Sequence, residues 1–142
     1  MRNLAILCLI SIALLSCSVD DKVNNFYLET LPIETVIVPE SFISGETSVI
    51  GYTYIRSSTC HIFNDLYYSI DGNQRTIAVI NRVYEEAGNG NACSNLDGEI
   101  VSRTFDFMVN NESGTSYTFK FWQGEDQNGE DIYLTVNVPV IE

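Results

Sequence analysis

His61 is the one histidine in this 142-residue chain. Any serine–histidine relay or imidazole base must therefore use it. It directly follows Cys60, and Cys93 is the next cysteine along. Two chemistries fit these three residues. Cys60 and Cys93 can close a disulfide, or both can join His61 around a metal ion. The spacing favours the disulfide, because adjacent Cys and His lack the two- to four-residue separation usual between zinc ligands. No G-x-S-x-G surrounds any serine, so nucleophilic catalysis lacks its familiar frame. No Gly-rich phosphate loop follows a strand and opens a helix. The acids leave room for the carboxylate pair of a glycoside hydrolase, but no spacing singles one out. We read His61 as structural and expect no catalytic residues.

The second group lies near the C-terminus. Along Tyr117–Trp122, alternation sends Tyr117, Phe119 and Phe121 one way and Thr118, Lys120 and Trp122 the other. Along the last strand, Ile132, Leu134, Val136 and Val138 share a face opposite Asp131, Tyr133, Thr135 and Asn137. The apolar sets must face a core, which leaves Trp122 and Tyr133 outside. A two-residue turn at Asn128-Gly129 would pair Trp122 with Thr135 and Gly124 with Tyr133. The two rings would then be diagonal neighbours beside Lys120, able to stack on a sugar ring or anchor a protein partner. The competing reading is that Tyr133 covers the bare backbone at Gly124 while Trp122 packs on the sheet. The same turn sets Asp126 opposite Asp131, between Glu125 and Glu130. Like charges facing each other weaken a ladder. A calcium ion held by Asp126, Asn128 and Asp131 would relieve this, and so would side chains splayed into water. Asp126-x-Asn128-Gly129-x-Asp131 resembles part of a calcium loop, but it lacks the full EF-hand pattern and its distal bidentate Glu.

The elements that position these groups read as strands and turns. β-branched and aromatic residues dominate from residue 30 onward, and no 3.6-residue stripe persists. Strands are expected over Leu31–Val38, Thr47–Arg56, His61–Ile70, Arg75–Tyr84, Glu99–Val109, Ser116–Gln123 and Glu130–Val138. Asp71-Gly72-Asn73 and Asn128-Gly129 mark hairpins. Glu86 to Gly98 reads as a long loop carrying Cys93. Seven short antiparallel strands in this length point to a two-layer β-sandwich over residues 31–142.

The start of the chain is of a different kind. Met1-Arg2-Asn3 is a short positive segment, and Leu4 to Leu15 is apolar except for Ser11. That run is too short to span a bilayer and fits a signal peptide over residues 1–16. Leu14-Leu15-Ser16-Cys17 resembles the lipobox of bacterial lipoproteins. The resemblance implies cleavage before Cys17, a diacylglycerol and further acyl chain (palmitate or similar) on that cysteine, and stable membrane attachment. Residues 17–30 would form the lipidated N-terminus and tether, although Phe26, Tyr27 and Leu28 are apolar enough to dock on the domain. Ser18-Val19-Asp20-Asp21-Lys22 resembles the surface-export signal of Bacteroidetes lipoproteins. It equally suits a plain polar tether, or an outer-membrane lipoprotein facing inward.

Removing residues 1–16 leaves six basic against nineteen acidic residues, a net charge of −13. This balance argues against nucleic acid, whose phosphates need clustered Lys and Arg. It argues equally against electrostatic docking on anionic lipid. An exported chain with two remaining cysteines is also a setting in which a disulfide persists. Asn111-Glu112-Ser113 matches a glycosylation sequon, which a bacterial lipoprotein would carry by chance.

Two resemblances concern the fold. Glu112-Ser113-Gly114-Thr115-Ser116-Tyr117-Thr118-Phe119 is similar to the start of strand F in immunoglobulin-like domains, with Tyr117 as the corner tyrosine. Phe119 stands where antibody domains carry a cysteine, so the expected Cys60–Cys93 bridge pins a loop and does not join the sheets. The mature chain as a whole resembles small Bacteroidetes lipoproteins of unknown function. The expectation is an envelope lipoprotein at the outer membrane or cell surface. Its immunoglobulin-like sandwich would be a non-catalytic binding module for a glycan or an envelope protein. A purely structural envelope protein is the alternative, and a hydrolase the more remote one.

Overall fold

The computed structural model describes residues 25–86 and 92–142. The signal peptide expected over residues 1–16, the expected lipidation site Cys17 and the acidic start of the expected tether lie outside the described residues. The described chain is all-β. Its strands are β1 (Phe26–Leu31), β2 (Ile33–Ile37), β3 (Phe42–Ile43), β4 (Thr47–Ser58), β5 (His61–Asp71), β6 (Gln74–Tyr84), β7 (Asn95–Met108), β8 (Ser116–Glu125) and β9 (Asp131–Ile141).

These strands form two packed sheets. β5 runs along one side of β6, and β1 and β8 share its other side end to end. β9 follows β8, and the two-residue β3 closes that edge. The smaller sheet is β2-β4-β7. Among the described residues, nine strands replace the seven expected. The extra ones are β3 and β1, and β1 begins inside the stretch read as tether. Residues 26–30 thus belong to the sheet, paired with β6 from Phe26↔Tyr84 to Leu31↔Val79.

The expectation of a wholly antiparallel sandwich also needs correcting. β6 and β8 pair in parallel, as do β3 and β9. The cause is the path of the chain. After β6 the chain leaves the larger sheet and returns along β7 in the smaller one, so β8 re-enters beside β6 in the direction β6 was travelling. A single strand in the opposite layer thus serves as the crossover that a parallel pair requires.

The pleat sorts side chains between core and surface. Ile50, Tyr52 and Tyr54 of β4 and Tyr117, Phe119 and Phe121 of β8 are buried, while their alternate neighbours face outward. Phe42, Phe107, Tyr117 and Phe119 meet between the sheets with ring centroids 4.8 to 6.2 Å apart, mostly tilted or edge-on. Each such ring contributes about 1.5–3 kcal/mol through burial alone. Pro32 stands at the corner where the chain passes from β1 in the larger sheet to β2 in the smaller. Its missing N–H suits a break in the ladder. Gln123 Nε2 donates to the Ile33 carbonyl at 3.3 Å, tying the corner to β8.

Candidate functional site

Trp122 and Tyr133 lie on the outer face of the larger sheet, as the alternation requires. They are directly opposite each other, not diagonal. The cause is a bulge between Trp122 and Glu125, where Gln123 and Gly124 face the single residue Ile132. Gly124 sits at φ +106°, a backbone region that side chains resist, and its bare face points toward the Pro32 ring. Tyr133 therefore does not cover Gly124. The connection is also longer than expected. Asp126 N–H donates to the Glu130 carbonyl at 2.8 Å and Gly129 N–H to the Asp126 carbonyl at 3.1 Å. With Gly129 at φ +80°, this is a three-residue loop ending in a left-handed glycine.

Asp131 organises the aromatic pair. Its Oδ1 accepts from Trp122 Nε1 at 2.7 Å and its Oδ2 from the Tyr133 hydroxyl at 3.1 Å. Burial, then the hydrogen bond to this carboxylate, pushes the Tyr133 phenol above its ordinary pKa. It stays protonated and donating. Lys120 Nζ lies 4.3 Å from the centre of the Tyr133 ring, a cation–π contact. Both indole and phenol are half-buried and held by one acceptor. The pair is preorganised and still reachable.

Of the residues proposed for calcium, Asp126 and Asn128 meet in the loop, while Asp131 is engaged by the two rings. Glu125, not Asp126, pairs with Asp131 in the ladder. Asp131 is turned onto the sheet face by the two rings. Asp126 is turned into the loop, where it accepts from the Asn128 N–H at 2.8 Å, the Glu130 N–H at 2.9 Å and Asn128 Nδ2 at 3.3 Å. Among the described residues, no three acidic, His or Cys side chains gather as a metal site. The Glu130 N–H and then the Asn128 N–H hold the Asp126 carboxyl below its usual value. A carboxyl depressed in the folded state stabilises the loop above its unfolded pKa, and that contribution fades as pH falls through the folded value. Following the Glu130 and Asn128 amide resonances in an NMR pH titration should give a midpoint below that of an ordinary aspartate. A midpoint at or above the ordinary value would remove Asp126 as the loop's organiser.

Cys60 and Cys93 form the expected disulfide, with Cα atoms 5.5 Å apart. It ties the turn between β4 and β5 to the segment entering β7. Next to it stands an arrangement not foreseen from sequence. Ser58 Oγ is 2.7 Å from His61 Nδ1, and His61 Nε2 is 2.9 Å from Glu29 Oε2 on β1. The order is that of a hydrolytic triad, but three features depart from one. The His61–Glu29 contact is close without the alignment of a hydrogen bond. Ser58 Oγ already accepts the Cys60 N–H at 3.2 Å. The Thr59 N–H, a neighbouring candidate for holding an oxyanion, is spent on the Ser94 carbonyl at 3.0 Å. The group fastens β1 to the β4–β5 turn. Asn81, paired across the ladders with Glu29 and Phe63, is fully buried with both amide atoms unpartnered among the described residues. Nothing in the structure explains that amide.

A shallow groove of about 280 Å³ crosses the outer face of the smaller sheet above Gly51, with Ile37, Thr35 and Thr53 on its sides. Thr35 and Thr53 hydroxyls are bonded to each other at 2.7 Å. The sequence signal for it is Gly51 within a strand, where a missing side chain opens the face.

No family model matches the chain, and no curated protein or solved structure is detectably similar to it.

Proposed function

We propose that this chain is a bacterial envelope lipoprotein, anchored by lipid on Cys17, whose sandwich is a non-catalytic binding module for a glycan or envelope partner. The observation that carries the binding reading is the Trp122–Tyr133 pair. Two large rings sit side by side on an outer sheet face, locked by Asp131 and flanked by Lys120. Rings fixed before binding lose little entropy when a partner covers them. The anchor reading rests on the lipobox-like Leu14–Cys17. Its place at the outer membrane or cell surface rests on the acidic residues that follow. The corner at Tyr117 supports a likeness to immunoglobulin-like domains, which serve widely as binding modules, although that likeness implies no ligand.

The test is binding of the full-length chain to a glycan panel and to crosslinked envelope fractions, compared with Trp122→Ala. The variant should lose at least about tenfold in affinity, the effect of removing a central aromatic anchor. Unchanged affinity would reject the site. Metabolic palmitate labelling that survives Cys17→Ser would reject the anchor.

A further inference from the structure

The ladders place a third aromatic in line with the pair. Tyr67 on β5 pairs with Ala78 on β6. The β6–β8 register runs to Ile77↔Phe121, so one step further sets Ala78 beside Trp122, which pairs with Tyr133. Tyr67, Ala78, Trp122 and Tyr133 thus form one row across four strands, about 14 Å long at the usual strand spacing. Ala78 is the small residue of the row and only 4% exposed although it faces outward, because the taller side chains around it close over it. Tyr67 is 50% exposed.

The next row on the same face is Ser69, Thr76, Lys120 and Thr135. Beyond it Thr118 Oγ1 and Asn137 Oδ1 are 2.8 Å apart. An aromatic row bordered by hydroxyl and amide side chains fits a ligand with one apolar face and a rim of hydroxyls, which describes a pyranose ring. Its length suits an oligosaccharide better than a single sugar.

Charge narrows the class. The whole chain carries −12. The full charges on this part of the face are Lys120, occupied with the Tyr133 ring, Asp131, occupied with Trp122 and Tyr133, and Asp71 at the β5 end of the Thr118–Asn137 row. A polyanionic glycan would gain one cation here and meet a strongly acidic molecule around it. A protein partner would look for an apolar centre with a charged rim. Here the two charges beside the aromatic row, Lys120 and Asp131, are already engaged with its own rings, and the remaining neighbours are hydroxyl and amide groups.

We propose that this face is a platform for an uncharged polysaccharide, with Tyr67, Trp122 and Tyr133 as stacking residues and the Ser69–Thr135 row contacting sugar hydroxyls. This rests on reading Trp122 and Tyr133 as the binding surface, and it adds both the ligand class and Tyr67. The experiment is affinity electrophoresis of the full-length chain in detergent through gels holding neutral polysaccharides (β-glucan, mannan, amylose) or acidic ones (polygalacturonate, alginate). Wild type, Tyr67→Ala and Trp122→Ala are compared, with thermal melts as a folding control. Tyr67 is half exposed near a sheet edge, so its variant keeps the test valid if Trp122→Ala unfolds. The expected result is retardation by at least one neutral polymer that is insensitive to salt and weakened about tenfold or more in Tyr67→Ala. Salt-sensitive retardation by acidic polymers alone would overturn the ligand class and leave the surface standing. Retardation by a neutral polymer that is unchanged in Tyr67→Ala would overturn the row. No polysaccharide binding, with crosslinking to one envelope protein that requires Trp122, would overturn this inference and keep the binding-module reading. Failure of both would remove both.

Discussion

Replacing Cys60 and Cys93 by serine should lower the stability of the domain by about 3–4 kcal/mol, the largest effect we expect from a change outside the aromatic core. The bridge closes a loop between residues separated by 33 positions. Most of its effect lies in the unfolded chain, which loses the conformations that would separate the two ends. The folded state is well suited to it. Cys60 is buried at the β4–β5 turn, and the turn is independently fastened by Thr59 N–H to the Ser94 carbonyl, and by Ser94 N–H to Thr59 Oγ1, each at 3.0 Å. Those two hydrogen bonds hold the same chain segments together without the sulfurs, so the reduced protein should still fold. Urea titrations of the oxidised chain and of the double variant should show a lower midpoint and a steeper slope in the variant, because its unfolded state expands further. The melting temperature should fall by roughly 10–20 °C. Coincident midpoints would mean that the unfolded ensemble already keeps Cys60 near Cys93, and the entropic account would be wrong here.

What could be read from sequence follows from the range of the interactions. The inward set Tyr117, Phe119 and Phe121 was legible because the pleat is a local property with a period of two. The disulfide was legible because, once Cys8 and Cys17 were assigned to an expected signal and lipidation site, two cysteines were left. The Trp122–Tyr133 pair was placed on the correct face but out of register. A bulge at Gln123-Gly124 and a longer loop shift the ladder, and neither changes the alternation that was being read. The parallel pairing of β6 with β8 depends on where β7 lies in space, so Tyr67 gave no sign of aligning with Trp122. Glu29 was hidden for another reason. It sat in a stretch read as tether, and its contact with His61 exists only because β1 joins β6. The expected signal peptide, lipidation at Cys17 and acidic tether start rest on sequence alone.

Tyr117→Phe should cost about 2 kcal/mol while leaving the core packed. Tyr117 is wholly buried, and its hydroxyl oxygen accepts two backbone hydrogen bonds, from Asn110 N–H at 3.1 Å and Asn111 N–H at 3.0 Å. Both donors lie in the passage from β7 in the smaller sheet to β8 in the larger, where the chain has left one ladder and not yet joined the next. A buried N–H without a partner costs about 1–3 kcal/mol. Removing one oxygen unpairs two part-buried donors, so the low end of that range, about 1 kcal/mol each, applies. The ring stays in place, since Phe107 at 4.8 Å and the Arg75 guanidinium at 5.0 Å pack on it through contacts that need no hydroxyl. The variant therefore isolates the oxygen from the ring. Hydrogen exchange should accelerate at Asn110 and Asn111 well before other core amides. A loss under about 0.5 kcal/mol would show that the neighbouring bonds, Val109 N–H to the Glu46 carbonyl and Gly114 N–H to the Val140 carbonyl, hold the crossing by themselves. The outcome bears on the binding face as well. The corner fixes where β8 enters the sheet, and that entry point sets Thr118, Lys120 and Trp122 outward in register with β6 and β9. If the corner slackens, the proposed polysaccharide binding should weaken together with stability, although Tyr117 lies on the opposite face of the sheet.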